Sequence, residues 1–237
     1  MLDGKSLQAA TSHYLGQNFA KAFNMQFLDK DGVRKYGYST SWGTSTRMIG
    51  ALIMAHGDER GLVLPPKVAP VQVVIVPVAA HKGGVTEKAE ELLSALSGAG
   101  VRAELDAREA SPGWKFNEWE MKGVPVRIEI GPRDIEKGQA CLFRRDTLEK
   151  SFAPLESVAE TAEKLLEEIQ KNMLEKSRRN RDARIVRAAD LKELLAGVEN
   201  KNFVKAGWCG CRECEDRVKD YAAATARVML EDEESDT

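Results

Sequence analysis

Residues 71–78 read VQVVIVPV, an almost unbroken apolar run rich in β-branched side chains. Such a run predicts a strand that is buried on both faces of a sheet. Helix-like and strand-like patterns alternate downstream: a helix over 86–96, a strand over 101–106, a helix near 114–121, and strands over 124–130 and 139–143. This alternation favours an α/β domain with helices on both faces of its sheet.

The chain has 237 residues, of which 43% are apolar and 30% charged, with a formal net charge of −2. This composition excludes a collagen, a disulfide scaffold and a wholly disordered chain. It also excludes a polycation that binds nucleic acid by bulk attraction, although local basic patches remain compatible with it. There is no run of about eighteen uncharged apolar residues, and the N-terminus lacks the apolar segment of a signal peptide. We therefore expect a cytoplasmic protein without membrane association.

The proline-rich segment 65–70, PPKVAP, is the first predicted boundary, because consecutive prolines cannot continue a helix or a central strand. The expected elements upstream are a helix over 6–23, a hairpin of 27–28 with 36–42, a buried helix over 48–56 and a strand over 62–66. Those expected downstream are a long amphipathic helix over 155–173 that continues through a basic run at 176–187, and a short helix near 191–195. The last seven residues, 231–237, are mostly acidic and are expected to fray.

Three of the four cysteines crowd together as Cys209, Cys211 and Cys214. In a chain without a secretion signal such a cluster favours metal binding over disulfides. Structural zinc takes four ligands, usually in two pairs, and no cysteine or histidine follows Cys214. The cluster could hold zinc with a further ligand, hold none, or be half of a site, and we favour a missing or incomplete site. Cys141 lies in an apolar stretch and is expected to be a small buried side chain.

Two polar clusters could carry chemistry. Residues 39–47, STSWGTSTR, place small hydroxyls and then Arg47 at the start of an apolar helix, where anions bind well. The alternative is a helix-capping cluster with a surface arginine. In the second cluster Gln8 and Thr11 are three apart, so a helix start could direct both at one ligand, and His13 follows. A purely structural histidine is the alternative there.

Four segments closely resemble prolyl-tRNA synthetases of the archaeal/eukaryotic type, in the same order along nearly the whole chain. They are GKSLQAATSHYLGQNFAKAF (4–23), YSTSWGTSTRMIGALIMAHGDERGLVLPPKVAPVQVVIVP (38–77), SPGWKFNEWEMKGVPVRIEIGPRD (111–134) and WCGCRECED (208–216). The resemblance implies an α/β chain in three parts. Residues 1–68 would be the C-terminal part of the antiparallel-sheet class II catalytic domain, 69–152 an α/β anticodon-binding domain, and 153–237 a long helix plus a small α+β, zinc-site-like domain.

The same resemblance implies site residues and partners. It assigns ATP contacts to Gln8, Thr11, Ser45 and Arg47, proline contacts to His13, Ser41, Trp42 and Gly43, and a possible zinc pair to Cys209 and Cys214. The family enzyme uses ATP and Mg²⁺ to activate proline, transfers it to tRNA-Pro, and is a homodimer at full length. The family's first two catalytic motifs lie upstream of any segment matched here, so we expect a C-terminal portion that cannot form prolyl-adenylate alone. The alternatives are a non-catalytic tRNA-binding module and an accessory subunit of a split synthetase.

The third resembling segment combines cations with aromatic rings, the mixture that holds unstacked RNA bases. Lys115, Glu118 and Lys122 are the predicted tRNA contacts, and the Glu118 carboxylate could accept two N–H groups of a guanine. Against this, Phe116 and Trp119 are three apart and could be plain core residues. The basic run at 176–187 could follow the tRNA backbone or be a solvated helix face.

Overall fold

A computed structural model describes residues 1–228 of the chain. The acidic segment at 231–237, which we expected to fray, lies outside the described residues. In chain order the strands are β1 (Ala10–Gly16), β2 (Gln26–Leu28), β3 (Arg34–Tyr36), β4 (Ser39–Thr44), β5 (Val73–Pro77), β6 (Ala103–Leu105), β7 (Val126–Ile130), β8 (Gln139–Arg144), β9 (Lys150–Pro154), β10 (Ile185–Arg187) and β11 (Phe203–Lys205). The helices are α1 (Asn18–Ala22), α2 (Arg47–His56), α3 (Val85–Gly98), α4 (Pro112–Met121), α5 (Pro132–Glu136), α6 (Val158–Asp182), α7 (Leu191–Glu199) and α8 (Arg212–Ala222).

The main core is built on a five-stranded sheet in the order β6-β5-β7-β8-β9. Strands β5, β6 and β7 are parallel, while β8 and β9 pair antiparallel. Helices α3 and α6 cover one face through residues such as Leu96 and Ile169, and α4 covers the other through Trp119. Every residue of β5 is buried because helices pack on both of its faces, which confirms the reading of 71–78.

Helix α6 joins the sheet's own core. Its buried residues Val158, Ala162, Ile169 and Met173 recur at helical spacing and pack on the sheet. The helix ends at Asp182, so the prediction that it continues through the basic run to residue 187 is wrong for the last part of that run. Residues 185–187 instead form β10, which pairs in parallel with β11.

The predicted helix over 6–23 is wrong. Residues 10–16 form β1, which pairs antiparallel with β4, and only the five residues of α1 are helical. Thr11 and Tyr14 are β-branched and aromatic, types that suit a strand, and Gly16 has a positive φ of 56° that breaks a helix. The expected hairpin is present in a shorter form, since β2 pairs with β3 while β4 turns to β1.

Residues 1–62, all of them described, have a single buried member, Ala20. Helix α2 forms where residues 48–56 predicted one, yet none of its residues is buried. The strand expected over 62–66 is absent, because Pro65 and Pro66 supply no N–H groups for a ladder. The paired ribbons of this region have only two strands each, and such ribbons are marginal without a covering partner.

A smaller unit follows α6. Helices α7 and α8 pack around Leu194, Ala188 and Ala222, next to the β10–β11 pair. Cys141, on β8, is 5% exposed, which confirms its expected burial, and burial raises the pKa of its thiol. Within residues 1–228, no helix combines the length and apolar character needed to cross a bilayer.

Candidate nucleotide and nucleic-acid sites

The β1–β4 ribbon brings four of the predicted residues together. Its register sets Thr11 opposite Gly43 and His13 opposite Ser41. Directly opposed residues in an antiparallel pair share a face, and residues two apart along a strand also do. Thr11, His13, Ser41 and Gly43 therefore lie on one face of the ribbon.

The register does not bring Trp42 to that face. Trp42 lies opposite Ser12, its ring is on the other side of the ribbon, and it is 81% exposed. Gln8 precedes β1 in the segment whose next residue, Ala9, accepts a hydrogen bond from the Thr44 hydroxyl at 3.2 Å. Gln8 thus lies just before β1 and Thr11 within it, so the two residues are not on the helix start that their spacing suggested.

Ser45 and Arg47 lie where β4 passes into α2. The Ser45 hydroxyl accepts a hydrogen bond from the backbone N–H of Arg47 at 3.4 Å, and the Arg47 side chain is exposed. Arg47 is the first residue of α2, so its guanidinium lies at the end of the helix where free N–H groups and the helix dipole favour an anion. The Ser45 hydroxyl thus accepts from one N–H at the helix start while the N-cap residue, Thr46, makes no side-chain cap, and the exposed Arg47 side chain is compatible with an anion-binding role.

A second polar centre lies at the carboxyl end of the parallel strands, where Asp106 follows β6. The buried Asp106 carboxylate accepts two hydrogen bonds from the Arg108 guanidinium, at 2.9 and 2.7 Å, one from the Arg108 backbone N–H at 3.2 Å, and one from the Trp119 indole at 2.8 Å. The ammonium of Lys115 donates to the Asp106 backbone carbonyl at 2.9 Å. Arg108 holds the pKa of Asp106 well below its usual range, against the opposing effect of burial. The carboxylate therefore stays ionised and fixes α4 to the strand end.

The three predicted tRNA contacts have different surroundings. Lys115 is 4% exposed, so its ammonium is committed to Asp106 and offers little surface to a ligand. Glu118 accepts from Arg108 at 2.8 Å and pairs with Lys122 at 2.6 Å, and these contacts lower its pKa, with Arg108 the larger cause. Lys122 is half-exposed and its ammonium lies 4.4 Å from the centroid of the Trp119 ring. Trp119 is a core residue, 5% exposed, whose indole N–H also donates a hydrogen bond to Asp106.

Sequence reasoning missed two exposed residues of this centre. Trp114, near the start of α4, is 54% exposed, and the Arg108 guanidinium lies 5.2 Å from its ring centroid. A usable signal existed for Arg108, since it closely follows a parallel strand and ligands bind at the carboxyl ends of such strands. We call Arg108, Trp114, Glu118 and Lys122 the α4 surface.

The cysteine cluster lies just before and within the first turn of α8. The sulfurs of Cys209 and Cys211 are 3.1 Å apart, and a hydrogen bond from the Cys211 backbone N–H is the main cause that lowers the pKa of Cys209. Among the residues that the structure describes, no group of three or more His, Cys, Asp or Glu side chains is arranged to hold a metal ion. A missing or incomplete zinc site at Cys209 and Cys214 stays a prediction.

Comparison with known proteins bears on both centres. Residues 72–172 match the family model for the anticodon binding domain, and residues 191–237 match the model for the C-terminal part of prolyl-tRNA synthetase. The chain is also 55% identical over 237 residues to a proline–tRNA ligase of Alkaliphilus oremlandii, covering 99% of this chain and 49% of that protein. The chain belongs to the prolyl-tRNA synthetase family.

Two further members of the family show how much of it is present. A proline–tRNA ligase of Clostridium botulinum is 51% identical over 240 residues, covering 100% of this chain and 50% of that protein. A crystal structure of prolyl-tRNA synthetase from Cryptosporidium parvum, complexed with halofuginone and AMPPNP, matches with a TM-score of 0.88 at 43% identity, covering 93% of this chain and 45% of that one. The chain spans about half the length of these relatives. The expected fold class, with its anticodon-binding domain and small C-terminal domain, is confirmed.

Proposed function

We propose that this chain is the tRNA-binding portion of a proline–tRNA ligase and supplies one side of the pocket where proline is activated. The observation that carries the proposal is the shared face of the β1–β4 ribbon. That face gathers Thr11, His13 and Ser41 and leads directly into the helix that begins with Arg47. The relatives named proline–tRNA ligase support it over the full length of this chain.

The chemistry suits the residue types. Proline is activated when its carboxylate attacks the α-phosphate of ATP, so negative charge accumulates on the departing pyrophosphate. The Arg47 guanidinium can bind phosphate oxygens with two parallel hydrogen bonds, with Ser45 beside it. Gln8 and Thr11 would contact the nucleotide. AMPPNP, present in the Cryptosporidium parvum structure, is an ATP analogue and supports a nucleotide here.

His13, Ser41 and Gly43 would bound the proline ring, since small neighbours leave room for a compact pyrrolidine and discriminate by shape. The resemblance also placed Trp42 in this wall, but its ring lies on the other face of the ribbon, so we assign it no proline contact. Magnesium, when bound, would neutralise the triphosphate. The four proposed ATP residues include no carboxylate, so the phosphates themselves would be its main ligands within this set.

The α4 surface would bind the anticodon. Trp114 offers an exposed ring on which a base can stack, and Lys122 and Arg108 offer cations for the phosphates. Each proline anticodon ends in two guanines, and the Glu118 carboxylate can accept hydrogen bonds from the N–H groups of a guanine. Lys115 would act indirectly, because its ammonium secures the strand end beneath this surface. We further propose tRNA-Pro, proline and ATP as partners, a homodimer at full length, and a cytoplasmic location.

Binding of a stem–loop RNA with a proline anticodon tests the RNA part. Trp114→Ala should weaken binding about 5- to 100-fold, since stacking on one ring contributes about 1–3 kcal/mol per base. Lys122→Glu should weaken RNA binding and reduce the slope of log affinity against log salt concentration by about 1, the equivalent of one phosphate contact. Lys164→Glu is the matched control, because it makes the same charge change on α6, across the sheet from α4. Equal affinities for all four proteins at physiological salt would refute this placement.

Proline-dependent ATP–pyrophosphate exchange tests the catalytic part. We expect none from the 237-residue chain alone, since Arg47 and the ribbon form only one side of a pocket. Exchange by the isolated chain would overturn this. The accessory-subunit alternative has one observation in its favour: residues 1–62 expose many large apolar side chains, among them Phe23 and Ile49, which a second polypeptide could cover.

A further inference from the structure

The turn after α2 is bonded to the end of α4. Asp58 and Gly61 close the turn through two backbone hydrogen bonds, of 3.0 and 3.1 Å. The chain then runs along the last residues of α4, where the Leu62 N–H donates to the Met121 carbonyl at 3.0 Å and the Leu64 N–H donates to the Gly123 carbonyl at 3.2 Å. We call this contact the joint.

Two glycines make the joint unusually close. A Cβ atom on Gly61 would lie 2.6 Å from the Met121 carbonyl oxygen, and one on Gly123 would lie 2.6 Å from the backbone carbon of Leu62. Both glycines have positive φ values, 127° and 74°, which other residues rarely adopt. The two backbones therefore approach each other at a distance that leaves no space for side chains.

The buried side chain of Arg145 contacts both sides of the joint. It is 1% exposed, its two terminal nitrogens donate to the two Asp58 oxygens at 2.7 and 2.5 Å, and its Nε donates to the Glu120 carbonyl at 2.9 Å. The Glu120 carboxylate in turn accepts from Arg60 of the turn at 3.1 Å. One buried guanidinium thus binds the turn and the end of α4 together.

The joint connects the two proposed sites. Helix α2 carries Arg47 at one end and reaches the turn at the other, ten residues away or about 15 Å along the axis. Helix α4 carries Glu118 and enters the joint within its next turn. We propose that Arg145 is a positioning residue that makes α2 and α4 one cooperative unit, so that RNA bound at the α4 surface restrains the helix that presents Arg47. This rests on the proposed function.

Bound RNA can restrain the turn because parts of a folded protein open and close locally. Segments of a protein open in cooperative units, and a ligand slows the opening of any unit whose closed form it requires. If α4 and the turn open together, RNA that needs α4 closed also protects amides that it does not touch. The amides of Gly57, Leu62 and Leu64 report this, because each donates a hydrogen bond at or beside the joint.

Hydrogen exchange of the 237-residue chain, with and without saturating stem–loop RNA carrying a proline anticodon, tests the inference. In the unmodified chain the RNA should slow exchange at Gly57, Leu62 and Leu64 at least about tenfold. In Arg145→Gln this slowing should fall below about twofold while RNA affinity stays within about threefold. Asp58→Asn, which weakens the same pair from the exposed turn, should show the same loss in a milder form.

Arg144→Gln is the matched control. Arg144 is also ion-paired with an aspartate, Asp146, and with Glu168 of α6, neither of which belongs to the turn. It should keep the RNA-dependent slowing. Unchanged exchange in the unmodified chain despite bound RNA, or slowing that persists in both Arg145→Gln and Asp58→Asn, overturns the coupling alone. RNA that fails to bind the unmodified chain overturns the proposed RNA function and the coupling with it.

Discussion

Asp106→Asn should destabilise the chain strongly, because its carboxylate serves several donors at once. Two oxygens accept four N–H groups, two from the Arg108 guanidinium, one from the Arg108 backbone and one from Trp119. Asparagine keeps one acceptor oxygen and turns an NH₂ group toward these donors. The ammonium of Lys115, 4% exposed and 3.7 Å from the carboxylate, also loses its counter-charge. Removing one member of a buried pair costs about 3–5 kcal/mol, and the half-exposed Arg108 can regain water, so we expect about 3 kcal/mol.

Urea unfolding followed by circular dichroism measures this change. Glu104→Gln is the matched control, because it removes the same charge two residues earlier on β6, from an exposed side chain. The control should stay within about 0.5 kcal/mol of the unmodified chain. A loss below about 1 kcal/mol for Asp106→Asn at neutral pH would show that the carboxylate does not secure α4, and the account of the α4 surface would fail with it.

Three further outcomes follow from the contacts described. Gly123→Ala should cost more than about 1 kcal/mol in urea unfolding, because the new methyl meets Leu62 and the positive φ strains alanine; an unchanged midpoint would contradict the close approach. The pKa of Asp106 is lower folded than unfolded, so its stabilisation is complete above about pH 4 and is lost as pH falls toward the folded value. Unfolding free energies from pH 7 to 3 should therefore decline, and Asp106→Asn should flatten the decline. Elemental analysis should find less than one zinc per chain at Cys209 and Cys214, and one stoichiometric zinc would reverse that expectation.

The sheet domain was the most predictable part of the fold. The apolar run over residues 71–78 was enough to predict a strand buried on both faces, and β5 forms there over Val73–Pro77. The later strand β9 was missed because its sequence, Lys150-Ser-Phe-Ala-Pro154, mixes polar residues with a proline. Its first three side chains are exposed, so it has no apolar run that would predict a buried strand. Edge strands carry a weaker pattern because only one side of them is paired.

The helix predicted over residues 6–23 was wrong because the strand that pairs with this segment, β4, lies far along the sequence. The apolar spacing over residues 6–23 fits a helix as well as a strand. The local sequence contains no information about a pairing strand that lies about thirty residues downstream. Pairing with β4 settles the choice for Thr11 through Tyr14. The same pairing fixes which predicted residues share a face, and it separates Trp42 from His13, which a linear motif cannot show.

The tRNA contacts proposed on α4 stay a prediction, but the structure shows surroundings for them that the sequence did not indicate. The mixture of cations and aromatic rings in a segment resembling the family led to Lys115, Glu118 and Lys122. It could not show that Lys115 is buried on Asp106, or that Arg108 arrives from a loop ten residues before Glu118. Those facts depend on how β6 and α4 pack, which is a tertiary property.

The uneven distribution of buried residues has a consequence for biosynthesis. Residues 1–62 contain one buried side chain, whereas the sheet and its three covering helices hold most of the core. Chains leave the ribosome from the amino end, so Gly61 emerges about sixty residues before Gly123, and the joint between them can close only after α4 has been synthesised. The turn after α2 therefore depends for its closure on a part of the chain that is made later.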